Sequence, residues 1–394
     1  MKILFVSALL PYPLHSGGQV RMYNLLKQLS HDHDIHLFSF IRSENENAYK
    51  KELSFCSHVT TVMRGSAWQS QYILPAIFGS YPLLLSTYDN NEMRQCIAKE
   101  LAREPYDGIH IEPGYVMPSI PKTDVPIVVS EHNIEHDVYA GFVGQSLLRL
   151  PLWIDVWKLS MWEKHIWNHA ARITAVSPED KAYIHKAAPD KKVDIINNGV
   201  DLQAFPYKPK NKRMSDSMTY LYVGNFAWIE NQDAVRYLLT SIWPGIIKKY
   251  TKATLRVVGK NLPSDIRRIA HGSGVVFLDS VERIQTELQQ ADIMLAPIRI
   301  GGGTKYKILE AMASGLPVIT TKQGAMGIHA THNKELFVAD TMEQVLKSID
   351  MIRDSGWRLG VVSAARKRIE EQYSWDSISQ KLDVVWRGAY GKSN

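Results

Sequence analysis

The sequence predicts an α/β fold of two doubly wound halves, and three observations carry that reading. Short apolar runs alternate with amphipathic helical stretches from the first residues onward. The alternation pauses near residue 200 at a polar, turn-rich stretch, "NNGVDLQAFPYKPKNKRMSDS". It then restarts with the same rhythm. Alternation of this kind implies parallel sheets covered on both faces, with ligands at the carboxyl ends of the strands.

In the first half the strand candidates are "KILFVS", "DIHLFSF", "HVTTVM", "GIHIE", "PIVVS" and "ITAVS". The opening "MKILFVSALLPYP" reads as a buried strand rather than a leader, because its apolar core is short and no small-residue cleavage site follows. "GGQVRMYNLLKQLS" then opens a helix. In the second half the strands are "TYLYVG", "TLRVVG", "VVFLD", "DIMLAP" and "LPVIT". The expected division is a first domain over 1–200, a second over 201–372 and a last helix within 373–394. That helix, in "WDSISQKLDVVWRGAY", has one apolar face, for which the first domain is one possible seat.

Composition excludes several classes. The 394 residues are 45% hydrophobic and 22% charged, as in an ordinary globular protein. No apolar run approaches the ~20 residues of a membrane span. Two cysteines, Cys56 and Cys96, make no disulfide framework, which points to a reducing, cytoplasmic setting. The net charge of +6 suits anionic ligands or an anionic membrane surface. There is no basic stripe with interleaved aromatics, so nucleic acid is not an expected partner.

The most informative stretch is "RIGGGTKYKILEAMASGLPVIT", residues 299–320. A buried strand ends just before it. Ile308, Leu309, Met312 and Ala313 form one stripe of a helix that Gly315 stops, and Pro317 starts the next strand. Glycines ahead of a helix let backbone N–H groups converge where the helix carries about half a positive charge, and phosphate fits there. Arg299, Lys305 and Lys307 can add charge. Glu310 lies seven residues beyond Gly303, about 10 Å along a helix. That is roughly the step from a diphosphate to a ribose, whose two hydroxyls a carboxylate can accept. A tight strand–helix turn with surface Lys and Glu is the plain alternative. The stretch is neither a Walker A loop, since no Gly-Lys-Ser/Thr ends it, nor G-x-G-x-x-G, since position 306 is Tyr.

At this point the sequence resembles the family-4 retaining glycosyltransferases, which have the GT-B fold of two facing Rossmann-like domains. "KILEAMASGLPVIT" matches the family's donor-site helix. "NNGVD" resembles its Pro-Asn-Gly-Val-Asp hinge, with Asn197 in place of Pro. "ITAVSPED", "SGGQVRMYNLLKQLS" and "VGNFAWIENQDAVRYL" resemble its pre-hinge strand, its N-terminal glycine loop and a subgroup of polysaccharide-building transferases. The resemblance covers nearly the whole chain. It implies transfer from a nucleotide diphosphate sugar to a hydroxyl of a glycan, glycolipid or other glycoconjugate, with a lipid-linked acceptor expected; uridine is taken ahead of guanosine, a choice the sequence does not decide.

The roles it implies are these. Gly17 and Gly18 lie near the donor diphosphate or the acceptor, and Arg21 behind them is an acceptor or phosphate contact. His132 faces the reacting sugar. Gly302, Gly303 and Thr304 present backbone to the phosphates and the sugar, Glu310 holds the ribose, and Val281 touches the base. Asn198 of the hinge, and Gly224 and Asn225 after the "VG" strand, join the donor side. Two departures stand out. The family often has a second glutamate where Gly302 stands here, and an Arg and a Lys after the "VG" glycine, where Asn225 and Glu230 stand nearby. Charge for the leaving diphosphate then falls to Arg299 and Lys307, with Lys305 behind them. His132, Lys307 and Arg299 are the candidate catalytic groups, and no metal or other cofactor is expected.

"HNIEH", residues 132–136, matches the inverted zinc-peptidase pattern, but His132 directly follows a strand and no helix sets both histidines on one face. "HDHDIH", residues 31–36, contains Asp-x-Asp at the strand end that enters the sheet, away from ligands. "LWIDVWKLSMWEKHIW", residues 152–167, spaces Trp153 and Trp157 one turn apart, with Trp162 and Trp167 elsewhere around the helix. Core packing is the simple reading. A membrane-facing or acceptor-facing surface is the other; Arg149, Lys158 and Lys164 suit an interfacial helix, giving a peripheral protein. Two rival functions share the fold: a nucleotide-sugar 2-epimerase, which calls for more acids and histidines around the sugar, and a non-catalytic partner subunit.

Overall fold

The computed structural model describes residues 1–394 apart from 67–68, 144–151, 212–213, 270–273, 302 and 392–394. The chain forms two compact units. One comprises residues 1–197 and 378–394, the other residues 198–377.

The first unit is built on a parallel seven-stranded sheet: β1 (Lys2–Ser7), β2 (Asp34–Ile41), β3 (His58–Met63), β4 (Gly108–Glu112), β5 (Ile127–Glu131), β6 (Arg172–Ala175) and β7 (Val193–Ile195). The spatial order is β3-β2-β1-β4-β5-β6-β7. The order reverses between β1 and β4, in register from Ile3↔Gly108 to Ser7↔Glu112. In a doubly wound sheet that reversal opens a crevice at the strands' carboxyl ends. β1 is buried along nearly its whole length because it is apolar on both faces, as an interior parallel strand requires. The helix Gly17–Leu29 follows it. Ser16 Oγ caps it by accepting from Gln19 N at 3.3 Å, and Met22, Leu25, Leu26 and Leu29 supply its buried stripe.

The helix Trp375–Tyr390 completes this unit's core. Trp386 is fully buried and its Nε1 donates to His110 Nδ1 at 2.9 Å, while Tyr390 Oη donates to Ile109 O at 2.7 Å. Position 108 admits only glycine: a Cβ there would lie 2.3 Å from the Tyr390 ring.

The second unit has six parallel strands: β8 (Thr219–Val223), β9 (Thr254–Val258), β10 (Val275–Leu278), β11 (Ile293–Ala296), β12 (Val318–Thr320) and β13 (Phe337–Val338), ordered β10-β9-β8-β11-β12-β13. Its switch point lies between β8 and β11. Two strands escape the sequence pattern, β7 and β13. At three and two residues they are too short to show a period. Among the described residues no helix is long and apolar enough to cross a membrane.

Candidate functional site

In the second unit the glycine stretch leaves β11 at its carboxyl end and feeds the helix Tyr306–Ser314. Gly301 and Gly303 hold φ of +93° and +68°, which side-chain-bearing residues rarely adopt. No described residue lies within 4 Å of where a Cβ of Gly303 would stand, so the loop is open to them on that side. The helix begins with no capping side chain and no acid in its first turn, which leaves its N-terminal field uncompensated by its own residues. Ile308, Leu309, Met312 and Ala313 are all buried, and Gly315 ends the helix at φ +79°.

Lys307 points back to β8. Its Nζ donates to Asn231 Oδ1 at 2.5 Å, sits 3.4 Å from Tyr222 Oη and lies 4.7 Å above the Tyr222 ring. Burial pushes its amine down to about 7; Glu230 opposes that shift and Lys305 adds to it. Glu310 is one turn further on and partly buried. Its carboxylate makes no hydrogen bond or ion pair with any described residue. Burial pushes it up to about 7 against the pull of Lys307. A lysine and a carboxylate near 7 in one recess can each change charge when a ligand arrives.

Other expected residues serve as scaffolding. A Cβ on Gly224 would meet the Asn231 side chain at 3.0 Å, so glycine makes room for the residue that holds Lys307. Asn225 shapes the same turn: its Oδ1 accepts from Ala227 N and Asn261 Nδ2, and its carbonyl accepts from Asn231 Nδ2 at 2.9 Å. Thr304 Oγ1 donates to Gly327 O at 3.1 Å, leaving its backbone rather than its hydroxyl for a ligand. Lys305 Nζ donates to Gly303 O at 3.2 Å. Val281 packs at the margin of this unit's core, and Asn198 is partly buried at the unit's first position. Gly302 lies outside the described residues.

Arg299 corrects an expectation. Instead of standing ready for a diphosphate, its guanidinium grips Asp233 bidentately, Nε–Oδ2 3.0 Å and Nη2–Oδ1 2.5 Å, over the Tyr237 ring at 4.4 Å. Its charge is already balanced.

In the first unit the switch point holds a buried polar cluster around Glu112, the last residue of β4. Glu112 Oε1 accepts from Arg21 Nε at 2.7 Å and from His132 Nε2 at 2.5 Å, and Oε2 lies 3.2 Å from His110 Nε2. Burial works against this charge, but the Arg21 guanidinium and the two imidazoles hold the carboxyl well below the usual range. The Trp386 indole can only donate, so His110 Nδ1 accepts and the ring proton sits on Nε2, facing Glu112. Burial keeps that ring neutral, more than offsetting Glu112.

His132 follows β5 directly, and Gly18 is glycine beside it because a Cβ would come within 3.3 Å of His132 Cε1. Gly17, next to it, is exposed at the helix start. Arg21 is the second correction. Expected at the acceptor, it is 1% exposed, and its Nη1 donates to Ile196 O and Asn197 O, both at 2.8 Å. It balances Glu112 rather than meeting a ligand.

The two sequence decoys dissolve. His136, in the helix Glu135–Val143, turns to Glu163 and to Tyr183 Oη, away from the acid that binds His132. Residues 31–33 form the turn into the amino end of β2. Among the described residues one trio has metal-ligand spacing, His36, Glu100 and Glu104. Lys2 and Arg103 already balance its acids, at 2.5 and 2.7–2.8 Å.

Known proteins carry the same organisation. The family described as Glycosyltransferase Family 4 matches residues 15–204, and that described as Glycosyl transferases group 1 matches residues 217–374. A GDP-mannose-dependent alpha-(1-6)-phosphatidylinositol monomannoside mannosyltransferase of Mycobacterium tuberculosis is 25% identical over 240 residues, 55% of this chain. The match spans 61% of that relative's length. Among solved structures, sucrose-phosphate synthase from Thermosynechococcus elongatus superposes with a TM-score of 0.72 at 16% identity, covering 99% of each chain. Anabaena HepE in complex with UDP and glucose superposes at 0.65 and 16%, covering 98% of this chain and all of that one. At these identities the structural likeness speaks for the fold: two Rossmann-like units, the GT-B arrangement.

Proposed function

Since the chain belongs to glycosyltransferase family 4, we propose that it transfers a sugar from a nucleotide diphosphate sugar to a hydroxyl of a glycan or lipid-linked acceptor, with retention and without a metal. The observation that carries this reading is the recess of the second unit. A partly buried carboxylate without a described partner, Glu310, follows a glycine-rich, uncapped helix start, with Lys307 between them. That order matches ribose, diphosphate and sugar in sequence. UDP is favoured as the carrier, with GDP the second choice.

Cleavage of the anomeric C–O bond leaves negative charge on the diphosphate. Backbone N–H groups of the glycine loop and the Lys307 ammonium oppose that charge, and fixed donors of this kind contribute about 3–4 kcal/mol each. In the first unit His132 donates an Nε2–H hydrogen bond to the Glu112 carboxylate, which leaves Nδ1 as an acceptor for a sugar hydroxyl. Retention follows a front-face course, in which the leaving phosphate takes the acceptor proton. The test is incubation with radiolabelled UDP- and GDP-sugars in excess EDTA. Transfer or slow donor hydrolysis is expected; activity that vanishes and returns with manganese or magnesium removes the metal-free claim, and C2 epimerisation replaces the reading.

Glu310→Gln is expected to weaken nucleotide binding by roughly 1.5–3 kcal/mol, the value of a hydrogen bond to a charged group. A 2′-deoxyribose nucleotide should lose about as much in the parent and little in the variant. Equal discrimination in both proteins assigns the ribose to another residue.

An exposed apolar face supports a lipid-borne acceptor. The helix Ser70–Phe78 carries no charged residue and leaves Leu74, Ile77 and Phe78 in the open, Phe78 at 83%. Beside it the helix Trp153–His169 exposes Trp153, Ile154, Trp157 and Met161, while Trp167 is buried on its inner side. Lys158 Nζ ties the two together by donating to Ala76 O and Gly79 O, both at 2.8 Å. The acids of the second helix turn inward: Asp155 accepts from Leu83 N and Glu163 from Glu135 N. Lys164, His165 and His169 face out. Arg149 lies outside the described residues. An apolar face on two helices whose described exposed residues are cationic or neutral suits an anionic bilayer. Flotation with anionic vesicles should fall with rising salt and be lost in Trp157→Ser/Phe78→Ser. Self-association of the soluble chain through these residues, without flotation, identifies a second copy as the occupant instead.

A further inference from the structure

A buried arginine elsewhere in the first unit has no use in the scheme above. Arg64 follows β3 at its carboxyl end and is 6% exposed. Its backbone is fixed, since its N–H donates to Ile41 O and its carbonyl accepts from Tyr72 Oη at 2.6 Å. Its guanidinium lies 4.8 Å from the Tyr88 ring centre and makes no hydrogen bond or ion pair with any described residue; Nε is wholly buried without one. A buried cation without an anion is costly, by several kcal/mol in typical cases. An anion that reaches the guanidinium from the adjoining cavity would balance it.

The space in front of it is suited to that. Arg64 lines a cavity of about 510 Å³ together with Gln69, Tyr81, Ser86, Asp89 and Asn90. Ser86 Oγ is buried and likewise unpaired. Asn90 caps the 13-residue helix Asn91–Arg103, whose N-terminal end therefore borders the cavity. The one acid of the wall, Asp89, is paired with Arg94 and does not satisfy Arg64. A buried guanidinium, a free hydroxyl and a helix N-terminus together make an anion site.

We propose that this cavity binds an anionic group, a phosphate or phosphodiester, carried by the acceptor. That the anion arrives on an acceptor rests on the transferase reading; the anion site itself does not. The wall formed by Tyr72 and Pro75 belongs to the uncharged helix whose other side exposes Leu74, Ile77 and Phe78. An acceptor with a phosphate head and an apolar tail matches both surfaces of that helix.

The test compares the parent with Arg64→Met and Ser86→Ala. Inorganic phosphate and glycerol phosphate are titrated by calorimetry with UDP saturating, so that the second unit's phosphate recess is filled. Arg64→Met should bind roughly 10- to 100-fold more weakly, as loss of charge-assisted hydrogen bonds predicts. Ser86→Ala should fall in the same direction by less. Without ligand, Arg64→Met should melt no lower than the parent, because it removes an unbalanced charge; a structural arginine would give the reverse. UDP affinity should be unchanged in both variants, and absence of UDP binding in the parent counts against the transferase reading alone. Vesicles containing phosphatidic acid supply the lipid arm. Arg64-dependent binding to these, exceeding that to glycerol phosphate, assigns a lipid-borne phosphate, and equal binding assigns a soluble one. Identical phosphate affinities in the parent and Arg64→Met, or a lower ligand-free melting point in Arg64→Met, overturn the site.

Discussion

Replacing Lys307 with methionine is expected to lower turnover by about 10²–10³-fold, the usual result of removing one fixed donor aimed at developing negative charge. Methionine keeps most of the volume and removes a buried amine, so the fold should survive. The pH behaviour separates this role from a structural one. Burial holds the Lys307 amine at about 7. A diphosphate raises it again, so donor binding at pH 8 should take up close to one proton, and donor affinity should fall as pH rises above 7. Glu310, also near 7, is mostly ionised at pH 8 and adds little to the count. Calorimetry of UDP binding in two buffers of different ionisation enthalpy reads the uptake. An unchanged proton count in Lys307→Met, or unchanged turnover, removes Lys307 from the chemistry. Arg299→Ala should matter far less, since Asp233 already neutralises that guanidinium.

The second large effect is on stability. Glu112→Ala leaves Arg21 buried without its anion and should cost about 3–5 kcal/mol in chemical denaturation. Arg21→Met alone should be similarly costly, while the double variant should recover much of the loss, because neither charge is then stranded. The sign with pH follows from the shift. The folded carboxyl lies well below its ordinary value of 4.5. Its contribution is therefore complete above about 4.5 and is withdrawn as pH falls towards the folded value. Glu112→Gln should flatten that acid limb. If the two single losses simply add in the double variant, the pair is not coupled and the cluster has been misread.

What was legible beforehand follows from the range of each signal. The helix stripe Ile308, Leu309, Met312 and Ala313 and its stop at Gly315 are local patterns, and the structure repeats them residue for residue. The doubly wound halves follow from alternation summed over many elements. Partnerships across the sheet are not local, and there the reading fell short. Glu112 was passed over as the end of "GIHIE", although His110 and Glu112 share one face of a buried strand. Two titratable residues at period two in such a strand are a signal that the sequence does contain. The role expected of Arg21 comes from the resemblance and that of Arg299 from its charge beside the glycines; neither signal contains the anion that holds it. Their anions lie 91 and 66 positions away, beyond any spacing rule. Arg64 offered no pattern at all; its interest lies in a partner it lacks.

The final helix has a consequence for the order in which the molecule is made. Residues 198–377 are contiguous and form the second unit, whereas the first unit needs residues 378–394 as well. On a ribosome the second unit therefore has its whole sequence in hand while the first still waits for Trp386 and Tyr390. The unit begun first is finished last. Until Trp386 arrives, His110 Nδ1 lacks the indole donor that seats its ring, and only Glu112 favours the proton on Nε2. A chain cut short before residue 378 thus keeps every residue of the nucleotide recess and loses the partner that orders the histidine cluster.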